Sequence, residues 1–137
     1  MTNEELILRA ARVLEPRTTT NGRLMGDVGA TLLTDKGNLY SGVCIDTGSG
    51  TGFCAEHSAI AAMVTSGEYR IAKIVAVWRD ERDGKLYVLP PCGRCREFIR
   101  QIHEGNLETE IVLGTDKIRK LGELIPYHQW PEPLEIV

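Results

Sequence analysis

Apolar positions in this sequence recur at two different spacings, and each spacing predicts one type of element. Near-helical spacing predicts an amphipathic helix over residues 3–15 that ends before Pro16, and two further helices over residues 54–66 and 92–103. A last helical turn is predicted over residues 122–125. Apolar segments bounded by turn residues predict five strands, over residues 24–33, 39–45, 71–78, 85–89 and 110–113.

The order of these elements predicts the fold class. Asp35-Lys36-Gly37-Asn38 is a turn sequence between the first two strands, so these strands form a β-hairpin. Helices then alternate with strands along the rest of the chain. This order is typical of an α/β protein with a mixed sheet and helices on its faces. With 137 residues, the chain has the size of one domain, and we expect a single domain over residues 1–137.

Composition and charge narrow the class of partner. Sixteen Lys and Arg residues against nineteen Asp and Glu residues give a net charge of −3, so the sequence lacks the basic footprint of a nucleic-acid binder. The longest apolar run, residues 59–64, is far shorter than the roughly 20 residues that span a bilayer. Acidic Glu4 and Glu5 stand where a leader would be basic. We therefore expect a cytoplasmic protein that binds a small molecule, with no nucleic-acid or membrane partner.

Three of the four cysteines lie in two short motifs, Cys54-Ala55-Glu56 and Pro91-Cys92-Gly93-Arg94-Cys95. Both motifs open predicted helices, where the helix dipole favours the thiolate over the thiol. Three such thiolates complete a zinc site that leaves a fourth position for water. Glu56 is placed to take a proton from that water and to pass it to a substrate nitrogen. Hydrolytic deamination is the chemistry that these parts favour.

Two other functions fit parts of the same motifs. A closed structural zinc site needs a fourth protein ligand, and His57, three residues after Cys54, could supply it. Such a chain would be a non-catalytic zinc-binding module. A redox dithiol is the other possibility for Cys92 and Cys95, but it gives no role to Glu56.

These motifs resemble the small cytidine deaminase and blasticidin-S deaminase family. The resemblance is carried by Cys54-Ala55-Glu56, by residues 91–96, by Tyr40-Ser41-Gly42 and by residues 122–126. It implies a three-layer α-β-α sandwich with a five-stranded mixed sheet, a homotetramer with shared active sites, and one zinc ion per subunit. The implied reaction converts an aminopyrimidine nucleoside, cytidine or deoxycytidine, to uridine or deoxyuridine with release of ammonia. Blasticidin S or a related nucleoside is the alternative substrate.

The resemblance also implies roles for individual residues. It makes Cys54, Cys92 and Cys95 the zinc ligands and Glu56 the catalytic proton carrier. The residues implied to bind substrate are Cys44, Asp46, Ala55, Tyr127 and Trp130.

Several of these substrate positions have simpler explanations. Typical cytidine deaminases hold the ribose with Asn-x-Glu, where this chain has Cys44-Ile45-Asp46. Cys44 is most simply a small buried hydrophobic residue, and Asp46 is a turn residue if it is not a sugar ligand. Tyr127 and Trp130 either close a substrate pocket, of their own or of a neighbouring subunit, or belong to a packed tail.

Three thiolates around Zn²⁺ leave a formal charge of −1, which weakens the metal as a Lewis acid. Members of the family with three cysteines usually carry Arg directly after Cys-Ala-Glu, whereas this chain has His57. Arg96 matches another arginine of the family and is expected to donate a hydrogen bond to a thiolate. His57 and Arg94 are further candidates for support around the metal.

Overall fold

Seven β-strands form one mixed sheet in residues 1–136, the part of the chain that the computed structural model describes. The strands are β1 (Arg17–Thr18), β2 (Leu24–Thr34), β3 (Leu39–Ile45), β4 (Ile71–Arg79), β5 (Leu86–Leu89), β6 (Glu110–Gly114) and β7 (Lys117–Lys120). The helices are α1 (Asn3–Arg12), α2 (Ala55–Thr65), α3 (Gly93–Ile102) and α4 (Leu121–Leu124), with a 3₁₀ helix over Glu104–Glu108. No helix in residues 1–136 has both the length and the apolar character needed to cross a bilayer.

The strands run in the order β1-β2-β4-β6-β7, with β3 paired to β2 and β5 paired to β4. The pair β4–β6 is parallel and the other pairs are antiparallel. The predicted mixed sheet is confirmed, but it has seven strands where five were predicted. The additional strands β1 and β7 consist mainly of polar residues, so they lack the apolar pattern on which the prediction of strands depends.

Helix α1 covers one face of the sheet. Thr2 and Glu5 form a capping box at its start, and Leu6, Ile7 and Ala10 point inward. These side chains form an apolar cluster with Val75, Val77 and Val112. The helix ends three residues earlier than predicted, since Glu15 already donates a backbone hydrogen bond to Gly26 of β2.

Helices α2 and α3 cover the other face, so the predicted three-layer arrangement is confirmed. Helix α2 lies unusually close to β3, because Gly42 has no side chain: a Cβ atom there would lie 2.4 Å from the Cβ atom of Ser58. The Ser58 hydroxyl donates a hydrogen bond to the Val43 carbonyl at 2.7 Å. This contact fixes the height of α2 over the sheet, and with it the position of the residues in the first turn of α2.

Candidate metal centre and adjoining cavity

The first turns of α2 and α3 bring three cysteines together. Cys54 and Cys92 are the N-cap residues of the two helices, and Cys95 lies in the first turn of α3, fully buried. The Sγ atoms of Cys54 and Cys92 are 3.6 Å apart, and those of Cys92 and Cys95 are 3.7 Å apart. All three sulfur atoms lie within 4.8 Å of one another. All four cysteines of the chain are free.

This arrangement of sulfur atoms fits zinc. A tetrahedral zinc ion with Zn–S bonds of about 2.3 Å holds its sulfur ligands about 3.8 Å apart, close to the separations seen here. The ligand atoms within reach of one another in this cluster come from the three cysteines alone, among the residues that the structure describes. Three protein ligands leave the fourth tetrahedral position for water or substrate.

The three thiols differ in how readily they ionise. Burial raises the pKa of Cys54 and of Cys95, and at Cys95 the nearby Glu56 carboxylate adds to the effect. Burial also opposes ionisation of Cys92, but hydrogen bonds from the backbone amides of Cys95 and Arg94, together with the neighbouring sulfur atoms, lower its pKa overall. The helix start therefore favours the thiolate at Cys92, whereas Cys54 and Cys95 need a cation to become thiolates.

Glu56 follows in the first turn of α2, and only 6% of its surface is exposed. Burial raises the pKa of its carboxyl group. Hydrogen bonds with its own backbone and with Cys95 lower this pKa, but by less than burial raises it. A carboxyl group with a raised pKa can both take up and release a proton near neutral pH, as a general acid and base must.

His57, in the first turn of α2, contacts Cys95 and Phe98 of α3 and so lies beside the metal centre. Its Nδ1 atom lies 3.4 Å from the Sγ atom of Cys95, and its ring stacks on Phe98 with the ring centroids 4.3 Å apart. Burial, followed by the charge of Arg94, lowers the pKa of His57, which favours the neutral imidazole. A neutral ring that carries its proton on Nδ1 donates a hydrogen bond to the sulfur.

The two arginines near the cysteines bind backbone carbonyl groups. Arg96 donates to the Pro91 carbonyl at 2.8 Å and to the Leu124 carbonyl at 3.0 Å, rather than to a cysteine sulfur as expected from the sequence. Arg94 donates to the Gly52 carbonyl at 2.9 Å. Both side chains thus hold the segments that flank the metal centre.

A cavity of about 620 Å³ opens beside the cysteines. Its walls include two cysteines of the metal centre and most of the residues that the sequence analysis singled out for substrate, together with further residues that it did not name. The residues named in the sequence analysis are Cys44, Asp46, Cys54, Ala55, Glu56, Cys92 and Arg94. Among those that it missed are Arg23, Asp27 and Phe53. No motif marks these three, although an acid within an otherwise apolar strand is a signal that can be read for Asp27.

Cys44 is both buried and part of the cavity wall. Only 6% of its surface is exposed, and its thiol donates a hydrogen bond to the Asp27 carboxylate at 2.9 Å. Burial and this hydrogen bond raise the pKa of Cys44, so the thiol keeps its proton. Asp46 lies two residues further along the chain, just after β3, exposed at the cavity, and its backbone amide donates to the Met25 sulfur.

The C-terminal aromatic residues lie away from this cavity. Tyr127 and Trp130 are 103% and 92% exposed, and neither lines the cavity of its own chain. Trp130 borders a separate groove with Arg100 and His128. Within one chain, therefore, these aromatic residues do not close the pocket.

Comparisons with a family model, with curated proteins and with solved structures all match deaminases. The family model described as the cytidine and deoxycytidylate deaminase zinc-binding region matches residues 1–109. The chain is 34% identical over 101 residues to a cytidine deaminase of Mycobacterium tuberculosis, covering 72% of this chain and 69% of that protein. It is 41% identical over 76 residues to a blasticidin-S deaminase of Bacillus cereus, covering 53% and 54%. The crystal structure of a cytidine deaminase from Burkholderia pseudomallei superposes with a TM-score of 0.72 at 27% identity, covering 93% and 98%.

Proposed function

The chain belongs to the cytidine and deoxycytidylate deaminase family, and we propose that it hydrolyses the exocyclic amine of a cytidine-like nucleoside. It is a zinc-dependent hydrolase. The reaction adds water at C4 of the pyrimidine ring and releases ammonia, so that cytidine or deoxycytidine becomes uridine or deoxyuridine.

The observation that carries this proposal is the shared cavity of the cysteine cluster and Glu56. Cys54 and Cys92 line the same cavity as a buried carboxyl group with a raised pKa. A purely structural zinc site requires neither an open cavity nor a buried carboxyl group with a raised pKa. The arrangement therefore supports an enzyme over a non-catalytic zinc-binding module.

Each residue of the centre has a separate task in the proposed reaction. Cys54, Cys92 and Cys95 would hold the zinc ion, which would supply a water molecule of lowered pKa. Glu56 takes one proton of the attacking water and delivers it to N3 of the pyrimidine; it then carries the proton of the new C4 hydroxyl to the amine, which leaves as ammonia while C4 becomes a carbonyl carbon. His57 donates to Cys95 and so removes part of the excess negative charge of three thiolates.

Three residues of the cavity are proposed to bind the nucleoside. Asp46 accepts a hydrogen bond from a hydroxyl group of the sugar or its equivalent, and Cys44 forms the wall beneath it. Ala55 lies between the metal ligand and the proton carrier, where its small side chain leaves room for the base. Blasticidin S is the alternative substrate, supported by the similarity to the Bacillus cereus enzyme of that name.

We further propose that the chain acts as a homotetramer in the cytoplasm. The exposure of Tyr127 and Trp130 supports an assembly in which these aromatic rings cover the pocket of a neighbouring copy. A reducing compartment suits a centre built from three free cysteines, since oxidation would destroy its ligands. Light scattering on the purified chain tests the assembly, and a mass of one chain would contradict it.

The proposed activity is tested with zinc-loaded protein and a set of aminopyrimidines. Ammonia release and the ultraviolet change of the base are followed with cytidine, deoxycytidine, cytosine and blasticidin S. We expect at least one nucleoside to be deaminated, and free cytosine to be the poorest of the four. Absence of ammonia release from all four compounds would contradict the proposal and favour a zinc-binding module.

A further inference from the structure

The three cysteines of the metal centre differ in how open they are to reagents in solution. Cys92 is exposed, Cys54 is partly exposed, and Cys95 is fully buried. Cys54 and Cys92 also line the cavity of about 620 Å³, whereas Cys95 does not border it. A small oxidant that enters the cavity therefore meets Cys92 and Cys54 before it meets Cys95.

Cys54 and Cys92 face each other across the gap between two helices. Each is the N-cap residue of its helix and has an extended backbone, so neither side chain is packed within the helical turns. Their Sγ atoms are 3.6 Å apart. A disulfide bond of about 2.05 Å requires the two sulfur atoms to approach by about 1.5 Å, which is within the reach of side-chain rotation.

Cys95 is less able to take part in such a bond. It lies within the first turn of α3, and its Sγ atom is 3.4 Å from Nδ1 of His57, whose ring stacks on Phe98. The Sγ atoms of Cys92 and Cys95 are 3.7 Å apart, but burial and the contact with His57 restrict rotation of the Cys95 side chain. Cys54 is therefore the better partner for an oxidised Cys92.

We propose that Cys92 and Cys54 are an oxidative modification site, at which a peroxide closes a reversible disulfide between α3 and α2 and inactivates the enzyme. In the first step the Cys92 sulfur attacks one oxygen of hydrogen peroxide, the O–O bond breaks, and Cys92 sulfenic acid and water form. The Cys54 sulfur then attacks the Cys92 sulfur, the S–O bond breaks, and a second water leaves as the S–S bond forms. The two thiols thus lose two protons and two electrons, and the peroxide is reduced to two water molecules.

The disulfide would remove two of the three proposed zinc ligands. Cys95 alone cannot hold the metal, because tight zinc sites need at least three protein ligands. Zinc would leave, and the reaction would lose its source of activated water. A dithiol reductant opens the disulfide by thiol–disulfide exchange, after which zinc can bind again. This inference concerns the regulation of the centre and rests on the proposed deaminase function.

The test treats zinc-loaded protein with hydrogen peroxide and needs no substrate. A chromophoric chelator measures the zinc released, and mass spectrometry of unreduced tryptic peptides identifies the disulfide. Trypsin cleaves after Arg94 and so separates Cys92 from Cys95. We expect the peptides of Cys54 and Cys92 to be linked, with about one zinc released per disulfide formed, and a dithiol to restore zinc binding. A disulfide between Cys92 and Cys95, oxidation to sulfinic acid without a disulfide, or retention of zinc would overturn the inference.

Cysteine variants, compared with wild type in the metal-free state, assign the two partners. Cys95→Ser keeps both partners and should still form the disulfide with peroxide. Cys54→Ser removes the partner of Cys92, so Cys92 should oxidise further to the sulfinic acid. Cys44→Ala is the matched control, because Cys44 is buried and lies outside the three-sulfur cluster, and it should give the wild-type disulfide. Failure of Cys95→Ser to form the disulfide would overturn the inference.

Activity measurements separate the switch from the proposed function. Deamination of cytidine by wild-type protein should fall in proportion to the zinc released by peroxide, and should return after treatment with a dithiol and zinc. Full activity of the protein that carries the disulfide would overturn the inference. If untreated, zinc-loaded protein released ammonia from none of the nucleosides, that result would count against the proposed function, and the zinc and disulfide measurements would still decide whether the modification site exists.

Discussion

The Nδ1 atom of His57 lies 3.4 Å from the Sγ atom of Cys95, inside the protein and next to the proposed metal. The ring is held in place by stacking on Phe98, with 6° between the two ring planes. His57 occupies the position after Cys-Ala-Glu, and Arg96, which was expected to donate to a thiolate, binds two carbonyl groups instead. His57, rather than Arg96, is therefore the side chain placed to offset the charge of a Cys95 thiolate.

His57→Phe should weaken zinc binding by about 10- to 100-fold, because it keeps the stacking on Phe98 but removes the hydrogen bond to Cys95. His57→Asn places an amide N–H near the position of Nδ1 and should retain more of the affinity. Competition with a chromophoric chelator measures the zinc affinity of each protein. Equal affinity of wild type and His57→Phe would show that the contact does not support the metal.

Cys92→Ala should abolish stoichiometric zinc binding, because two thiolates no longer define a tight site. The control is Cys44→Ala, which changes a cysteine of the cavity wall outside the three-sulfur cluster. Metal analysis after dialysis should give about one zinc per chain for wild type and the control, and well below that for Cys92→Ala. Full zinc content in Cys92→Ala would contradict the ligand assignment.

Zinc affinity should rise with pH across the neutral range. The pKa values of Cys54 and Cys95 are raised, so both thiols are protonated in the metal-free protein at neutral pH, and zinc must displace those protons. Raising the pH weakens this competition, and lowering the pH strengthens it. Calorimetry in buffers of different ionisation enthalpy counts the protons, and we expect more than one released per zinc bound. Binding without proton release would show that the thiols ionise before the metal arrives.

Gly42→Ala should destabilise the fold, because the added Cβ atom would lie 2.6 Å from the Ala59 backbone nitrogen as well as against Ser58. Overpacking of this kind typically costs about 1–3 kcal/mol. Gly114→Ala is the matched control, since a Cβ atom there meets only the Lys117 Cβ atom at 3.8 Å. Urea unfolding compares the two variants. Equal free energies of unfolding would mean that α2 shifts to accommodate the methyl group.

The centres of most helices and strands could be predicted because apolar spacing is a local property of the sequence. The metal centre could also be predicted, since Cys54 and Cys92 each precede a helical pattern and Glu56 follows at a fixed distance. Strand β7 could not be predicted. Lys117–Lys120 is a mainly polar edge strand that pairs with β6 and has no apolar pattern of its own.

Contacts between side chains that lie far apart in the sequence could not be predicted from it. Asp27 accepts the hydrogen of the Cys44 thiol at a place where the pairing of β2 with β3 changes register. Arg96 binds the carbonyl of Leu124, 28 residues further along, which no local motif indicates. The predicted closure of a pocket by Tyr127 and Trp130 concerns a neighbouring subunit and stays a prediction.

The most direct test of the proposed chemistry compares ammonia release from cytidine by wild-type protein and by Glu56→Gln, with the zinc content of both measured. Glu4→Gln, an exposed residue of α1, is the matched control. Because the role proposed for Glu56 is to move protons and not to hold the metal, the variant should keep its zinc and its fold while its rate falls by about 10²- to 10⁴-fold. Wild-type activity in the zinc-loaded Glu56→Gln protein, or loss of its zinc, would contradict the account.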